Sequence, residues 1–228
     1  MPHGMSDKGY HEAERLKTIR HLLYSGPLWK DKLVKQGIFT ERIHIVGCPR
    51  LDPIFQGKIK RLQGGKARVL WCPTHDAIEE ISSYPEFGKQ LTGLSGKYEA
   101  ISSVHPARED GGKTSLELLV QADVVLSDTS SLIYEALAIG KPVVLLDWLV
   151  KDGVFGKIPG TFEEMIYRDG LCYHAASFEE LPEVIDTALK NGIDKRTQEF
   201  IDGIFSPELR GNSGKMAAET LRRVANEF

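Results

Sequence analysis

The most informative part of the sequence is Ala122-Asp-Val-Val-Leu-Ser-Asp-Thr-Ser-Ser-Leu-Ile-Tyr-Glu-Ala-Leu-Ala-Ile-Gly-Lys-Pro-Val-Val-Leu-Leu-Asp147. Val124-Val-Leu126 and Val143-Val-Leu-Leu146 are continuous apolar runs, as expected for parallel strands that are covered on both faces. Between these runs, apolar residues recur at helical spacing across 130–139. The stretch therefore predicts a strand, a polar turn, a helix and a second strand.

The turn between the first strand and the helix consists of small polar residues. They are Ser127, Asp128, Thr129, Ser130 and Ser131. Backbone N–H groups, hydroxyls and the positive end of the helix dipole meet at such a turn, which suits a phosphate or a pyrophosphate. Asp and Ser are also the commonest N-caps, so the turn could serve stability alone. The run of serines, with Glu135 one turn into the helix, favours the anion site.

The composition limits the classes of protein. A chain of 228 residues that is 41% apolar can bury one good core, and its net charge of −3 gives no electrostatic footprint for nucleic acid. The three cysteines lie far apart without paired spacing, which favours a reduced compartment. No apolar run approaches the length of a membrane span and no signal peptide is evident. We expect a cytoplasmic protein, with docking of the basic cluster at 58–68 to anionic lipid left open.

Strands and helices alternate from residue 67 onward, which predicts a doubly wound parallel sheet in an α/β fold. The expected strands of this sheet are 67–72, 98–104, 123–127, 142–147 and 170–174, and the expected helices are 84–95, 114–121, 130–139 and 177–191. Before the sheet we expect a helix at 11–22, strands at 22–24 and 43–46 and a helix at 28–36, and after it helices at 194–204 and 213–227.

Polar residues follow four of the expected strands. They are Pro73-Thr-His-Asp76, His105-Pro-Ala-Arg108, Ser127–Ser131 and Asp147-Trp148. Ligands of doubly wound sheets bind beyond the carboxyl ends of the strands, so these segments predict a diphosphate site on one edge. Thr74 and Arg108 thereby join the turn residues as candidate substrate-binding residues. The remaining histidines show no ligand spacing, so we expect no metal ion.

Several short motifs occur in a characteristic order. They are Val46-Gly-Cys-Pro-Arg-Leu-Asp52, Val69-Leu-Trp-Cys-Pro-Thr74, Val104-His-Pro106, and Ser127-Asp-Thr-Ser-Ser131 with Glu135 and Lys141-Pro142. As an ordered set they resemble the CDP-glycerol glycerophosphotransferase family, the polymerases and primases of teichoic-acid synthesis, which have a GT-B fold. His3-Gly4 stands where that family has a His-Gly motif.

The resemblance implies transfer of a glycerol phosphate, or a similar alditol phosphate, from a CDP-activated donor to the hydroxyl of a teichoic-acid-type acceptor. By position, His3 would be the base that deprotonates the acceptor hydroxyl. His105, Ser130 and Ser131 would bind the donor pyrophosphate and stabilise the charge on the departing CMP, and His105 would thus act with His3 in catalysis. Glu135 would lie near the ribose. Such enzymes resemble sugar-nucleotide glycosyltransferases, which implies no cofactor and no tightly bound metal.

The family's architecture also implies a division of the chain. Residues 1–54 would be a remnant of the N-terminal acceptor lobe with the interlobe segment, and 55–66 a linker. Residues 67–205 would form the Rossmann-like domain that binds the nucleotide donor, and the helix in 206–228 would pack back towards the N-terminal lobe. The family works at the inner face of the bacterial membrane, so peripheral contact there stays open.

Two other functions stay open. The serine-rich turn, Glu135-Ala136 and Gly140-Lys-Pro142 also resemble UDP-N-acetylglucosamine 2-epimerases and other GT-B nucleotide-sugar enzymes. Because His3 lies at the end of the chain, a non-catalytic nucleotide-binding lobe is the third alternative. His75-Asp76 stands where the glycerophosphotransferase family has Trp-Arg, which leaves the identity of the donor open.

Overall fold

The structure is a computed structural model that describes residues 5–8, 16–62, 64–74, 79–103 and 115–226. The chain divides into two compact units, one formed by Met1–Lys60 and Gln198–Phe228, the other by Arg61–Thr197. Among the helices of the described ranges, none has the length and apolarity needed to cross a membrane.

Short strands and helices alternate along most of the chain. The strands are β1 (Leu22–Tyr24), β2 (Ile43–Ile45), β3 (Arg68–Cys72), β4 (Glu99–Ser102), β5 (Val124–Ser127), β6 (Val143–Leu146) and β7 (Tyr173–Ala175). The helices are α1 (Pro27–Lys35), α2 (Asp52–Phe55), α3 (Tyr84–Gln90), α4 (Ser115–Gln121), α5 (Leu132–Ala138), α6 (Asp147–Lys157), α7 (Phe162–Arg168), α8 (Leu181–Asn191), α9 (Lys195–Ile204) and α10 (Ser213–Ala225).

The larger unit contains a five-stranded parallel sheet with the strand order β4-β3-β5-β6-β7. The chain leaves β3 for β4 on one side and returns to β5 on the other side. The strand order therefore reverses between β3 and β5. In doubly wound sheets the carboxyl ends of the two strands at such a reversal border the crevice in which ligands bind.

Both faces of this sheet are buried. Val69, Trp71 and Leu126 belong to one core cluster, which also contains Phe87 of α3 and Ile185 of α8. Alternate residues of β3, β5 and β6, whose side chains point to the opposite face, are buried as well. This explains why the strands read as continuous apolar runs rather than as alternating patterns.

The smaller unit joins β1 and β2 in a parallel pair and packs α10 beside them. The Asp52 carboxylate accepts hydrogen bonds from the backbone N–H groups of Ser213 (3.1 Å) and Gly214 (2.7 Å), so it caps the start of α10. Gly47 has a φ of +80°, and a Cβ there would lie 2.3 Å from the Ser213 hydroxyl oxygen. Gly47 and Asp52, both in the Pro-Arg motif, are thus needed to seat α10.

The structure confirms the expected strands to within a few residues and differs from the sequence prediction in the second half of the sheet. The sequence did not predict α6 and α7, which fill the connection between β6 and β7. The last strand begins at Tyr173, because Cys172 has a φ of +72° and donates its N–H to the Thr197 hydroxyl at 2.8 Å. Part of the expected helix at 11–22 lies outside the described residues.

We predict opposite effects for alanine at the two glycines inside α6. A Cβ at Gly153 would lie 1.9 Å from the carbonyl oxygen of Glu80, whereas a Cβ at Gly156 meets nothing within 4 Å. Gly153→Ala should lower the free energy of unfolding by about 1–3 kcal/mol, since backbone must move to admit the methyl group. Gly156→Ala should raise it by about 0.5–1 kcal/mol through helix propensity. Urea unfolding of both variants measures the difference, and equal effects would contradict the described packing of α6.

Candidate functional site at the carboxyl ends of β3 and β5

The two strands at the order reversal end side by side. Cys72, the last residue of β3, pairs with Ser127, the last residue of β5. The Ser127 hydroxyl donates to the Cys72 carbonyl oxygen at 2.7 Å, and Ser127 is fully buried. The predicted turn Ser127–Ser131 therefore leaves the sheet beside the loop that carries Thr74.

The Asp128 carboxylate joins this turn to the loop after β3. It accepts hydrogen bonds from the backbone N–H of Thr74 (2.8 Å) and from both the backbone N–H and the hydroxyl of Ser83 (2.7 Å each). The N–H groups of Thr129 and Ser130 donate to the same carboxylate. Asp128 is fully buried. The buried Asp128 side chain therefore holds the Ser127–Ser131 turn next to Thr74 and Ser83.

The Thr129 hydroxyl adds a second link between the same two segments. It donates to the carbonyl oxygen of Ile81 at 3.0 Å and lies 3.2 Å from the Thr74 hydroxyl. The Ser82 hydroxyl donates to the Thr74 carbonyl oxygen at 2.9 Å. Thr74 is 9% exposed and Thr129 is fully buried. These bonds hold Thr74, Ile81 and Ser82, which are described residues between β3 and α3, next to the turn.

Ser130 and Ser131 are the members of the turn that are not fully buried. Ser130 is 7% exposed, and Ser131 is half-buried at the residue before α5. Ser131 stands at the N-cap position, yet its side chain makes no capping hydrogen bond. Ser131 therefore does not cap α5, whereas the Ser130 hydroxyl accepts the N–H of Leu132, the first residue of α5, at 3.4 Å.

Glu135 is fully buried in α5, one turn after Ser131. At the end of β3, burial raises the pKa of the Cys72 thiol well above its ordinary value, and the negative charges of Asp128 and Glu135 raise it further. Cys72 therefore stays protonated and is a poor nucleophile. Among the described residues beside the ends of β3 and β5, the polar side chains other than this thiol are hydroxyls and carboxylates.

A tyrosine that the sequence analysis did not single out supports the turn from behind. The Tyr167 hydroxyl, in α7, donates to the carbonyl oxygen of Asp128 at 2.8 Å. Burial raises the pKa of Tyr167 well above its ordinary value, so the hydroxyl keeps its proton. The capping pair Thr161 and Glu164 in the sequence is the signal that could have revealed α7 and thus Tyr167.

Asp147 lies on the same edge, after β6, but begins α6 rather than a loop. Its carboxylate oxygens lie 2.8 Å from His174 Nδ1 and 2.9 Å from Lys151 Nζ. A cavity of about 320 Å³ lies beside the first two turns of α6 and Ala176. Asp147 and Trp148 line this cavity, two strand ends away from β3.

Three of the candidate residues, His3, His105 and Arg108, lie outside the described residues. The structure brings the others together at the adjacent carboxyl ends of β3 and β5 or in the helix that follows β5. These are Thr74, Ser127, Asp128, Thr129, Ser130, Ser131 and Glu135. Within the described ranges, no group of three or more His, Cys, Asp or Glu side chains is placed to hold a metal ion.

We predict that Asp128→Asn lowers the free energy of unfolding by about 3 kcal/mol or more. The amide keeps one acceptor oxygen and turns N–H groups towards the donors of Thr74 or Ser83, which leaves buried donors unsatisfied. The exposed Asp152→Asn is the matched control and should change stability by less than about 0.5 kcal/mol. Chemical denaturation compares them, and a neutral Asp128→Asn would disprove the network described above.

The fold of this chain is similar to the folds of solved GT-B enzymes. The wall teichoic acid polymerase TagF is similar over 91% of this chain and 59% of its own, with a TM-score of 0.63 and 14% identity. A histidine-to-alanine variant of TagF is similar over 99% of this chain and 67% of its own, with a TM-score of 0.69 and 16% identity. The present chain thus spans about three-fifths to two-thirds of the TagF structures that it matches.

A nucleotide-sugar enzyme shares the fold as well. The UDP-GlcNAc 2-epimerase from Neisseria meningitidis bound to UDP-GlcNAc is similar over 90% of this chain and 61% of its own, with a TM-score of 0.51 and 16% identity. TagF and the epimerase are both GT-B enzymes, so the predicted GT-B-like α/β fold with its parallel sheet is confirmed. No protein-family model and no curated protein sequence matches the chain.

Proposed function

We propose that the chain binds a nucleotide-activated donor at the carboxyl ends of β3 and β5 and takes part in transferring an alditol phosphate, such as glycerol phosphate from CDP-glycerol, to an acceptor hydroxyl. The observation that carries the proposal is the Asp128 network, which fixes the Ser127–Ser131 turn beside the loop of Thr74 at the strand-order reversal. Similarity of fold to TagF, one structure of which was soaked with CDPG, supports the choice of donor.

The roles of the turn residues follow from their burial. Ser130 and Ser131 are the turn residues that keep some solvent exposure, and we assign their hydroxyls to donate to phosphoryl oxygens. Ser127, Asp128 and Thr129 are fully buried, so in this proposal they shape the substrate-binding turn through their bonds to the protein. Thr74 lies beside the turn, with its hydroxyl 3.2 Å from that of Thr129.

The carboxylate of Glu135 suits hydroxyl groups, because an ionised carboxylate is only an acceptor. We assign it to the ribose, as the resemblance to the glycerophosphotransferases implies. A diphosphate beside Asp128 and Glu135 also needs cations for charge balance. The proposal assigns that role to His105 and Arg108 and the role of base to His3, on the strength of the motifs alone.

The epimerase alternative uses the same edge of the sheet but predicts a different nucleotide. Gly140, which belongs to the Gly-Lys-Pro motif, has a φ of +80° and ends α5: its N–H donates to Leu137 and the N–H of Lys141 donates to Ala136. This motif lies at the amino end of β6, away from the candidate site. Its presence is explained by helix termination and does not favour a UDP-sugar.

Titration of the full chain tests the proposal. CDP-glycerol and CMP should raise the melting temperature, whereas UDP-GlcNAc and UDP should have little effect. Ser131→Ala should keep the melting temperature of the free protein and weaken CDP-glycerol binding about tenfold, since one charge-assisted hydrogen bond is lost. Ser95→Ala is the control, because Ser95 is exposed and lies outside the Ser127–Ser131 turn. Stabilisation by UDP-GlcNAc alone would support the epimerase alternative, and a chain that responds to no nucleotide would refute both.

A further inference from the structure

The cavity beside α6 has no role in the function proposed above. Its volume is about 320 Å³, and Asp147, Trp148, Lys151 and Asp152 line it together with the helix residues beside them and Ala176. All of these residues belong to the larger unit. Pockets that hold small ligands have volumes from about 300 to about 1,000 Å³, so the cavity is large enough for one small group.

The Lys151 ammonium group is held at the cavity with hydrogen-bond donors to spare. The Asp147 carboxylate is buried and used on both sides, with Oδ1 2.8 Å from His174 Nδ1 and Oδ2 2.9 Å from Lys151 Nζ. His174 is itself fixed, because its Nε2 lies 3.0 Å from the carbonyl oxygen of Leu171. An ammonium group has three N–H donors, and the described contacts of Lys151 use one of them. Asp147 therefore positions Lys151, and Lys151 can bind a ligand.

Trp148 and Asp152 add an aromatic surface and an acceptor to the same lining. Asp152 is exposed, and its carboxylate only accepts hydrogen bonds. The Trp148 ring packs edge-on against Phe87 at 6.1 Å between centroids and stays half-buried. Asp147 and Lys151 are four residues apart, as are Trp148 and Asp152, so both pairs lie on adjoining parts of the helix surface. The cavity thus offers N–H donors, a carboxylate and part of an aromatic ring.

A series of direct contacts joins this cavity to the Ser127–Ser131 turn. The Tyr167 hydroxyl donates to the carbonyl oxygen of Asp128 at 2.8 Å, and the Tyr167 ring lies edge-on to His174 at 5.7 Å between centroids. His174 in turn contacts Asp147. The strand β6, which Asp147 follows, pairs directly with β5, and paired strands lie about 4.8 Å apart. A group attached to phosphates at the turn is therefore within reach of the cavity.

We propose that the cavity binds an uncharged polyhydroxylated group, an alditol or a sugar, next to the phosphates at the turn, an inference that rests on the proposed function. Hydroxyls donate and accept, so they match the N–H groups of Lys151 and the carboxylate of Asp152. The C–H surface of such a group packs against the Trp148 ring. A phosphate would meet two carboxylates and one ammonium group, so the lining disfavours it. The transferred alditol of the donor and the hydroxyl-bearing end of the acceptor both have the required chemistry.

Titration of the full chain, followed by tryptophan emission, tests this assignment. Trp148 is half-buried whereas Trp29 and Trp71 are buried, so a ligand in the cavity should change the emission of Trp148. The ligands are CDP, CDP-glycerol, and ribitol added with and without CDP. A saturable change with CDP-glycerol beyond that with CDP assigns the cavity to the alditol of the donor. A saturable change with ribitol, together with equal changes for the two nucleotides, assigns it to the acceptor. Trp148→Phe should abolish either change.

Replacement of Lys151 shows whether its ammonium group makes the contact. Lys151→Met should weaken the binding of the polyol that gave the change about tenfold and leave CDP within about twofold of the wild type, because a hydrogen bond to the hydroxyls is lost. Lys151→Arg keeps a cationic donor and should restore most of the affinity. The control is Lys157→Met in the same helix: the Lys157 side chain is 48% exposed, that of Lys151 is 45% exposed, and Lys157 pairs with Glu80. It should leave every affinity unchanged.

Three results overturn the inference. The first is no change of emission beyond that with CDP from either CDP-glycerol or ribitol. The second is equal polyol affinity in Lys151→Met and the wild type. The third is binding of inorganic phosphate that Lys151→Met abolishes, since the cavity would then be an anion site. A wild-type chain that binds neither nucleotide refutes the proposed function instead, and a ribitol signal that depends on Lys151 in that same chain would still support a polyol site.

Discussion

The candidate site depends on one buried carboxylate, that of Asp128. Two loops leave neighbouring parallel strands, and their backbone N–H groups would be costly to bury without partners. The Asp128 side chain accepts from Thr74 and Ser83 on one loop and from Thr129 and Ser130 on the other. The Asp128 carboxylate thus replaces the water that these N–H groups would otherwise bind. It thereby fixes the positions of both loops relative to each other.

A second layer of helices supports this arrangement within the larger unit. The turn Glu79–Ile81 lies against α6 so closely that only glycine fits at position 153, and its Ile81 carbonyl oxygen accepts from Thr129. From α7, the Tyr167 hydroxyl reaches the carbonyl oxygen of Asp128. The connection between β6 and β7 therefore determines the positions of residues that lie far from it in the sequence.

The sheet could be predicted from the sequence because both of its faces are buried, which makes each strand a continuous apolar run. The motifs also placed Thr74 and the Ser127–Ser131 turn at one edge, since parallel strands present their carboxyl ends together. The helix α6 was missed for a physical reason. Gly153 and Gly156 lower the helix propensity of 147–157, and packing against Glu80, which no local pattern reveals, is what requires Gly153.

The sequence also could not separate the residues that shape the site from those that reach its surface. Asp128 and Ser131 look alike as small polar residues of one turn, yet Asp128 is fully buried and Ser131 is half-buried. Only the tertiary partners of Asp128 make this difference visible. The same holds for the Pro-Arg motif, whose Gly47 and Asp52 are explained by the seating of α10 rather than by chemistry.

Amide hydrogen exchange, resolved by residue, tests the account at its centre. If the Asp128 carboxylate holds both loops, the amide protons of Thr74, Ser83, Thr129 and Ser130 exchange as slowly as that of Val125 inside β5, because release requires the larger unit to open. Exchange of these four at the rate of exposed loop amides, while Val125 stays protected, would contradict the account.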